Sequence, residues 1–292
     1  MKTFTGTGVA LITPFDEQHQ IDFTALEQLI NHCIEGGVEF LVSLGTTGES
    51  VTLSTAEQHQ VLDFTVKTVN KRVKVVAGFG GNDTTALIST MEQYHFEGID
   101  GILSASPAYN KPSQEGIYQH FMAIAAKAPC PIILYNVPSR TGSNMTAETI
   151  LRLANASNKF VAIKEASGDL GQCMQIVQGD KPAHFSVLSG DDNLTLPMLA
   201  LGMDGLISVV ANAYPQDYSD MVRAAMKDDF KTARPLHYKY VDLVNLLFAD
   251  GNPGGIKKVL TLMNIGTQNV RLPLVAPNDA TQNALQKKVA SL

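Results

Sequence analysis

Residues 158–168 read NKFVAIKEASG, a short apolar run that ends in a single lysine, Lys164. The segment FVAI is rich in residues that favour β-strands, so it predicts a buried strand with Lys164 at its carboxyl end. A strand-end lysine commonly extends its amine to water, which is the simplest interpretation of this residue. The alternative is a lysine held in a poorly solvated site, where the neutral amine is favoured and can attack a carbonyl carbon. The rest of the chain decides between the two.

Similar apolar segments recur along the chain, each followed by a stretch with helical periodicity. The strands are predicted at residues 9–13, 40–44, 74–79, 101–104, 132–136, 160–164, 186–189 and 205–208. Helices are predicted at residues 22–35, 54–70, 84–96, 113–126, 146–154, 170–179, 194–201 and 215–231. This alternation predicts an α/β fold, a closed (β/α)8 TIM barrel. An open doubly wound sheet is less consistent, because the first strand is followed by PFD at 14–16 and lacks a Gly-x-Gly-x-x-Gly turn.

The end of the chain has a different pattern. It contains no strand-like segment, and helical periodicity occurs at residues 238–248, 255–263 and 279–290. We therefore predict a catalytic barrel formed by residues 1–231 and a small C-terminal helical domain formed by residues 232–292.

Composition and charge exclude several classes of protein. The 292 residues carry a formal net charge of −6 without a basic run, which argues against nucleic acid or an anionic membrane as a partner. No apolar segment approaches membrane-spanning length, and the first residues lack the apolar core of a signal peptide. Cys33, Cys130 and Cys173 are scattered and form no C-x-x-C pair, so they predict reduced packing residues. We expect a cytoplasmic protein.

The active site of a (β/α)8 barrel is formed at the carboxyl ends of its strands. In this chain those ends carry small hydroxyl residues, two tyrosines, an arginine and the lysine. The segments are GTTGES at 45–50, GFGGN at 78–82, SPAYN at 106–110, YNVPSR at 135–140, KE at 164–165 and GDD at 190–192. Because these groups converge on one rim, the reactive interpretation of Lys164 becomes the favoured one.

Each rim residue also has a purely structural interpretation. GTTG at 45–48 is either an ordinary turn with a helix cap or a nest of N–H and hydroxyl groups for a carboxylate. Tyr135 is either a core ring with a solvated hydroxyl or a proton-transfer group. Arg140 is either a surface charge or a bidentate clamp for a carboxylate. Asp191 and Asp192 are expected to cap the next helix.

Metal and phosphate chemistry is not indicated. The seven histidines form no set with metal-ligand spacing, and no glycine-rich phosphate cradle follows the last strands. We predict neither a metal nor another cofactor, and substrates that are not phosphorylated.

Four motifs together resemble the dihydrodipicolinate synthase family of the pyruvate-dependent class I aldolases. They are GTTGE at 45–49, YNVPxRTG at 135–142, IKEA at 163–166 and LSGDD at 188–192, and the resemblance extends to LPL at 272–274. It implies a (β/α)8 barrel that condenses pyruvate with L-aspartate 4-semialdehyde in diaminopimelate and lysine synthesis. It also implies a homo-oligomer, either a dimer or, as we expect, a dimer of dimers, with no cofactor beyond a covalent Schiff base.

The resemblance implies a role for each matching residue. Lys164 would form the Schiff base with pyruvate, and Tyr135 would act as general acid and base. Thr46 and Tyr109 would relay protons, the latter by reaching into the site of a neighbouring subunit.

The same resemblance implies the residues that hold the substrates. Thr47 and the backbone at Ile207 would hold pyruvate, Arg140 would bind the carboxylate of the semialdehyde, and Gly190 would line the site. Both substrates carry a carboxylate, so two anion sites on one rim suit this chemistry.

The chain departs from the family at a few positions. Ala108 stands where a tyrosine is common, and NPGGIK at 252–257 differs from the usual Asn-Pro-x-Pro-x-Lys. Gln58 and Ala86 stand where lysine-inhibited members carry a histidine and a glutamate. We therefore expect inhibition by lysine to be weak or absent.

Three alternatives remain open at this point. One is a sugar-acid aldolase of the same superfamily, such as N-acetylneuraminate or 2-keto-3-deoxygluconate lyase, which Arg140 disfavours. The second is a catalytically silent barrel used for binding, which would form no adduct with pyruvate and borohydride. The third is a phosphate-binding isomerase barrel, which the missing phosphate cradle disfavours.

Overall fold

Eight parallel strands form a closed barrel in a computed structural model that describes residues 1–292. Each strand pairs with its neighbour in chain order, and the last strand pairs with the first through Gly8 and Ile207. The strands are β1 (Gly6–Ala10), β2 (Phe40–Ser43), β3 (Lys74–Gly78), β4 (Gly101–Ala105), β5 (Ile132–Asn136), β6 (Phe160–Glu165), β7 (Ser186–Ser189) and β8 (Gly205–Ser208). The predicted (β/α)8 barrel with helices at the C-terminal end is confirmed.

Helices connect the strands and continue after the barrel closes. They are α1 (Phe23–Glu35), α2 (Thr55–Val69), α3 (Thr84–Glu92), α4 (Gln114–Lys127), α5 (Pro138–Thr141), α6 (Ala147–Ala156), α7 (Leu170–Gln178), α8 (Thr195–Ala200), α9 (Pro215–Ala225), α10 (Phe230–Phe248), α11 (Gly254–Leu262) and α12 (Asp279–Ala290). Several begin at a side chain that caps free N–H groups: Ser54, for example, forms a capping box with Glu57 at the start of α2.

One predicted helix is two helices in the structure. The periodic segment at 215–231 is interrupted because Asp228 adopts a left-handed φ of 60° and Asp229 caps a new helix by accepting from the Thr232 N–H. Helix α10 therefore begins at Phe230, earlier than the predicted 238, and it runs across the predicted domain boundary at 231/232. The division of the chain into two domains at this position stays a prediction.

The interior of the barrel is filled by apolar side chains from alternate strand positions, including Phe40, Val76 and Ile207. A second and larger apolar layer joins the outer face of the sheet to the helices. Because the interior is packed, a substrate site must lie above this plug, at a rim of the barrel. The three cysteines are buried and unpaired, and no helix combines the length and apolarity needed to cross a membrane.

Candidate active site

Lys164 and Tyr135 face each other inside the barrel. They are partners in the β5–β6 register, two residues beyond the inward-facing pair Ile133 and Ala162, so all four side chains share the interior face. Lys164 is only 6% exposed, and its Nζ lies 4.5 Å from the centroid of the Tyr135 ring. The amine takes part in no ion pair. Lys164 is therefore a strand-end lysine whose side chain points into the barrel. This position contradicts the simplest interpretation, in which the amine extends into bulk water.

A cavity of about 370 Å³ opens above this pair at the carboxyl ends of the strands. The predicted site residues that line it are Thr46, Thr47, Tyr135, Arg140, Lys164 and Gly190. An adjoining cavity of about 510 Å³ shares Thr46, Tyr135 and Arg140 but lacks the lysine. The smaller cavity is therefore the candidate active site, since it alone holds the amine.

The two remaining predicted site residues lie outside the cavity lining. Ile207 is buried in the apolar plug, with 1% of its surface exposed. Tyr109 is 91% exposed and adopts a left-handed φ of 68° while its N–H donates to the Thr141 carbonyl oxygen at 3.1 Å. The Tyr109 phenol therefore does not line the candidate active site of its own chain.

Segments remote in sequence hold the loop that carries Thr46 and Thr47. The Asn252 Nδ2 donates to Thr47 Oγ1 at 3.0 Å, across 205 positions of sequence. Two residues beyond Thr47, the fully buried Glu49 carboxylate forms an ion pair with Lys257 at 2.5 Å. Burial lowers the pKa of Lys257 to about 8, although the Glu49 charge opposes that shift. No role was predicted for Glu49, Asn252 or Lys257. The one signal in the sequence is Lys257 itself, a lysine inside an apolar helical segment.

Arg140 stands on the short helix α5, which follows Tyr135 by only a few residues. Its backbone is fixed locally, since its N–H donates to the Val137 carbonyl oxygen at 2.9 Å. The Arg140 side chain is exposed, forms no ion pair within the chain and lines both cavities. An unpaired guanidinium at a cavity mouth is suited to bind a planar carboxylate in a bidentate manner.

Gly190 gives the Lys164 side chain its room. A β-carbon at position 190 would lie 3.0 Å from Lys164 Cε and 2.7 Å from the Ala166 β-carbon. The Gly190 N–H donates to the Glu165 carbonyl oxygen at 2.7 Å, so the backbone at position 190 cannot easily move away from Lys164. Any larger residue would press on the lysine stem.

The aspartates after β7 have different roles from each other. Asp191 accepts from the N–H groups of Asn193 and Leu194 and so holds the turn before α8, but it does not cap the helix itself, whose N-cap position, Leu194, has no side-chain cap. The prediction for Asp192 is wrong as well: it accepts from Ser208 Oγ at 2.5 Å and the Val209 N–H at 2.9 Å, and so joins the ends of β7 and β8. Burial raises the pKa of Asp192 to about 6. No group of three or more His, Cys, Asp or Glu side chains is arranged to hold a metal ion.

Comparisons with known proteins all point to one family. The model of the dihydrodipicolinate synthetase family matches residues 3–292. The chain is 46% identical over 287 residues to the 4-hydroxy-tetrahydrodipicolinate synthase of Parabacteroides distasonis, covering 98% of this chain and 96% of that protein. It matches the crystal structure of dihydrodipicolinate synthase from Aquifex aeolicus with a TM-score of 0.94 and 40% identity, over 99% and 98% of the two chains.

A further structural relative is the chloride-inhibited dihydrodipicolinate synthase from Acinetobacter baumannii, solved in complex with pyruvate. Its TM-score is 0.95 and its identity 37%, over 99% of this chain and 98% of that one. Matches of this extent, at these identities, establish common descent as well as a common fold. This chain belongs to the dihydrodipicolinate synthetase family.

Proposed function

We propose that this enzyme condenses pyruvate with L-aspartate 4-semialdehyde to 4-hydroxy-tetrahydrodipicolinate, the first committed step of diaminopimelate and lysine synthesis. The observation that carries the proposal is the inward-facing Lys164 amine, 4.5 Å from the Tyr135 ring centroid in a cavity of about 370 Å³. The Parabacteroides relative bears this activity in its name, and the Acinetobacter relative was solved with pyruvate bound.

The first half-reaction forms a covalent adduct. The neutral Lys164 amine adds to the C2 carbonyl of pyruvate, and loss of water leaves an imine. Protonated, the imine withdraws electrons, so the pyruvate methyl releases a proton and becomes an enamine nucleophile. Tyr135 moves these protons, and Thr46 with the Tyr109 of a second copy extends the relay, because a phenol is an inefficient proton shuttle without hydrogen-bonded partners.

The second half-reaction builds the ring. The enamine carbon attacks the aldehyde carbon of the semialdehyde, whose amino group then adds to the imine carbon and displaces Lys164. Arg140 binds the carboxylate of the semialdehyde, while Thr47 holds pyruvate from the cavity wall. The backbone at Ile207 would add a contact to pyruvate only from beneath the cavity lining, since its side chain belongs to the apolar plug. Gly190 leaves the space that the lysine stem needs. No cofactor takes part in this scheme.

A homo-oligomer, a dimer of dimers, is part of the proposal. Tyr109 is 91% exposed and Val51, in the lining of the adjoining cavity, is 94% exposed, which is unusual for residues beside an active site. A second copy placed over them would bring Tyr109 to a site that its own chain does not complete. Sedimentation velocity at micromolar concentration tests the assembly. The cytoplasmic location stays a prediction that cell fractionation would test.

Reductive trapping tests the chemistry directly. Incubation with pyruvate and borohydride should add one reduced pyruvate unit to the chain, at Lys164, and Lys164→Ala should add none. Label on another residue, or an unchanged mass, would refute the Schiff-base assignment and favour a silent barrel.

A coupled assay then separates the synthase from a sugar-acid aldolase. The wild-type protein should turn over pyruvate with L-aspartate 4-semialdehyde and leave N-acetylneuraminate and 2-keto-3-deoxygluconate uncleaved. Arg140→Ala should weaken use of the semialdehyde while pyruvate trapping persists. Cleavage of a sugar acid, unaffected by this substitution, would support the aldolase instead.

A further inference from the structure

Glu165 is a buried carboxylate without a cation. It follows Lys164 on β6, its residue has no exposed surface, and it takes part in no ion pair. All its side-chain partners are neutral N–H donors: Asn136 Nδ2 at 3.0 Å, Gln172 Nε2 at 3.1 Å and the Ser167 N–H at 2.7 Å. Burying such a charge is costly unless every lone pair is used, so a carboxylate at this position needs an explanation.

These contacts belong to a closed ring of four side chains. Asn136 Nδ2 also donates to Asn144 Oδ1 at 2.8 Å, and Asn144 Nδ2 donates to Gln172 Oε1 at 2.7 Å. Gln172 in turn donates to Glu165, which closes the ring. We call Asn136, Asn144, Glu165 and Gln172 the outer ring, because their side chains lie on the face of the sheet opposite the cavity.

The outer ring lies directly behind the reactive pair. Asn136 and Glu165 are cross-strand partners, as are Tyr135 and Lys164 one residue earlier. Since side chains alternate between faces, the first pair faces the helices and the second faces the cavity. The backbone ladder between β5 and β6 already fixes these strands, so the ring is not needed to hold the strands themselves.

The outer ring instead holds residues 137–145, the segment that follows β5. Residues 137–145 carry Arg140 and return to the ring, where the Met145 N–H donates to Asn136 Oδ1 at 3.0 Å and Asn144 is a ring member. Gln114 on α4 adds a bond to the Asn144 carbonyl oxygen at 2.8 Å. The start of this segment is connected to the Glu165 carboxylate directly through Asn136. Its end is connected indirectly, because Asn144 is hydrogen-bonded to Asn136 and Gln172, which both donate to Glu165.

We infer that Glu165 is a positioning residue that acts through Asn136 and Asn144 on Arg140, and so sets the binding of the second, carboxylate-bearing substrate. A carboxylate suits this task because it accepts from three N–H donors on three different segments at once. A glutamine would turn an N–H₂ group toward one of these donors and break the ring. This inference rests on the proposed function.

The test is a kinetic split between the two substrates. Glu165→Gln should raise the KM for L-aspartate 4-semialdehyde roughly ten-fold or more, as expected for a misplaced binding group. The KM for pyruvate and the trapping of pyruvate on Lys164 should change little. A purely structural role would instead reduce the amount of active enzyme and leave both KM values alone.

A second variant and a double mutant keep the inference testable if Glu165→Gln folds poorly. Asn144→Ala removes an exposed ring member while Glu165 keeps its own three donors, and it should produce the same split. In an Arg140→Ala background, Asn144→Ala should add no further effect on the semialdehyde KM, because both act through one contact. Asn155→Ala, which removes two exposed hydrogen bonds on α6 away from the outer ring, is the matched control.

The outcomes distinguish a failure of the positioning role from a failure of the proposed function. A wild-type protein inactive with pyruvate and the semialdehyde would overturn the proposed function. An active wild type with ring variants that match the Asn155→Ala control would overturn only the positioning role. Equal losses for both substrates, or additive effects with Arg140→Ala, would overturn it as well.

Discussion

The buried ion pair between Glu49 and Lys257 gives a sharp stability prediction for Lys257→Met. The two side chains are 0% exposed and 2.5 Å apart, and they connect the loop after β2 to α11. The substitution leaves the carboxylate with one remaining donor, the Arg271 N–H at 3.0 Å. Breaking one side of a buried pair costs about 3–5 kcal/mol, mainly because the other charge stays buried and unpaired.

The size of the chain converts this free energy into a melting shift. With an unfolding entropy of about 2.1 cal/mol/K per residue, a chain of 292 residues has roughly 0.6 kcal/mol/K at its midpoint. Lys257→Met should therefore lower Tm by about 5–8 °C, measured by calorimetry at one protein concentration. The adjacent Lys258→Met, at a partly exposed position without an ion pair, is the matched control and should barely shift Tm.

A double variant isolates the electrostatic cause. Glu49→Gln combined with Lys257→Met removes the stranded charge but keeps an acceptor for the Arg271 N–H, so it should recover at least half of the lost Tm. A Tm of the double variant lowered by the sum of the single shifts, or equal Tm values for the two lysine variants, would show that the buried charge is not the cause. Because Glu49 lies two residues from Thr47, Lys257→Met should also weaken pyruvate binding.

Three further predictions concern the site and its surroundings. Gly190→Ala should slow pyruvate trapping roughly ten-fold, since its β-carbon would displace the Lys164 stem, and an unchanged trapping time course would contradict this. Hydrogen bonds from the Arg271 guanidinium hold the pKa of Glu57 at about 2, below the usual 4.5. The stabilisation from this pair is complete above pH 4.5 and is lost as the pH falls from 4.5 toward 2. Glu57→Gln should therefore flatten the dependence of stability on pH in that window. An unaltered acid unfolding curve would count against the Glu57–Arg271 pair. Added L-lysine should leave the rate nearly unchanged, because the family resemblance implies a histidine at position 58 in inhibited members, and Gln58 here donates instead to the Ser50 and Leu53 carbonyl oxygens. Strong inhibition would reject this expectation.

The barrel and the centre of its site could be predicted from local patterns. Most of the apolar strand segments are followed by a helix with a side-chain cap, such as Ser54 or Thr146, and these signals act within a few residues of sequence. Alternation along a strand then places Tyr135 and Lys164 on the interior face without any knowledge of distant contacts. The helix boundary near Asp228 was missed because a left-handed residue interrupts an otherwise helical pattern.

Local patterns were therefore enough to predict the fold, the family and the strand-end lysine on which the proposed chemistry depends, because periodicity and strand-end chemistry are local properties. The residues that surround this lysine and hold its neighbouring loops become apparent only once the chain is folded. Asn252 meets Thr47 and Lys257 meets Glu49 across 205 and 208 positions, and Glu165 is satisfied by donors from three segments. Such partners are brought together by closure of the barrel and docking of the last helices. Local sequence patterns cannot identify them, because a charged side chain requires a specific partner only when folding removes both from water.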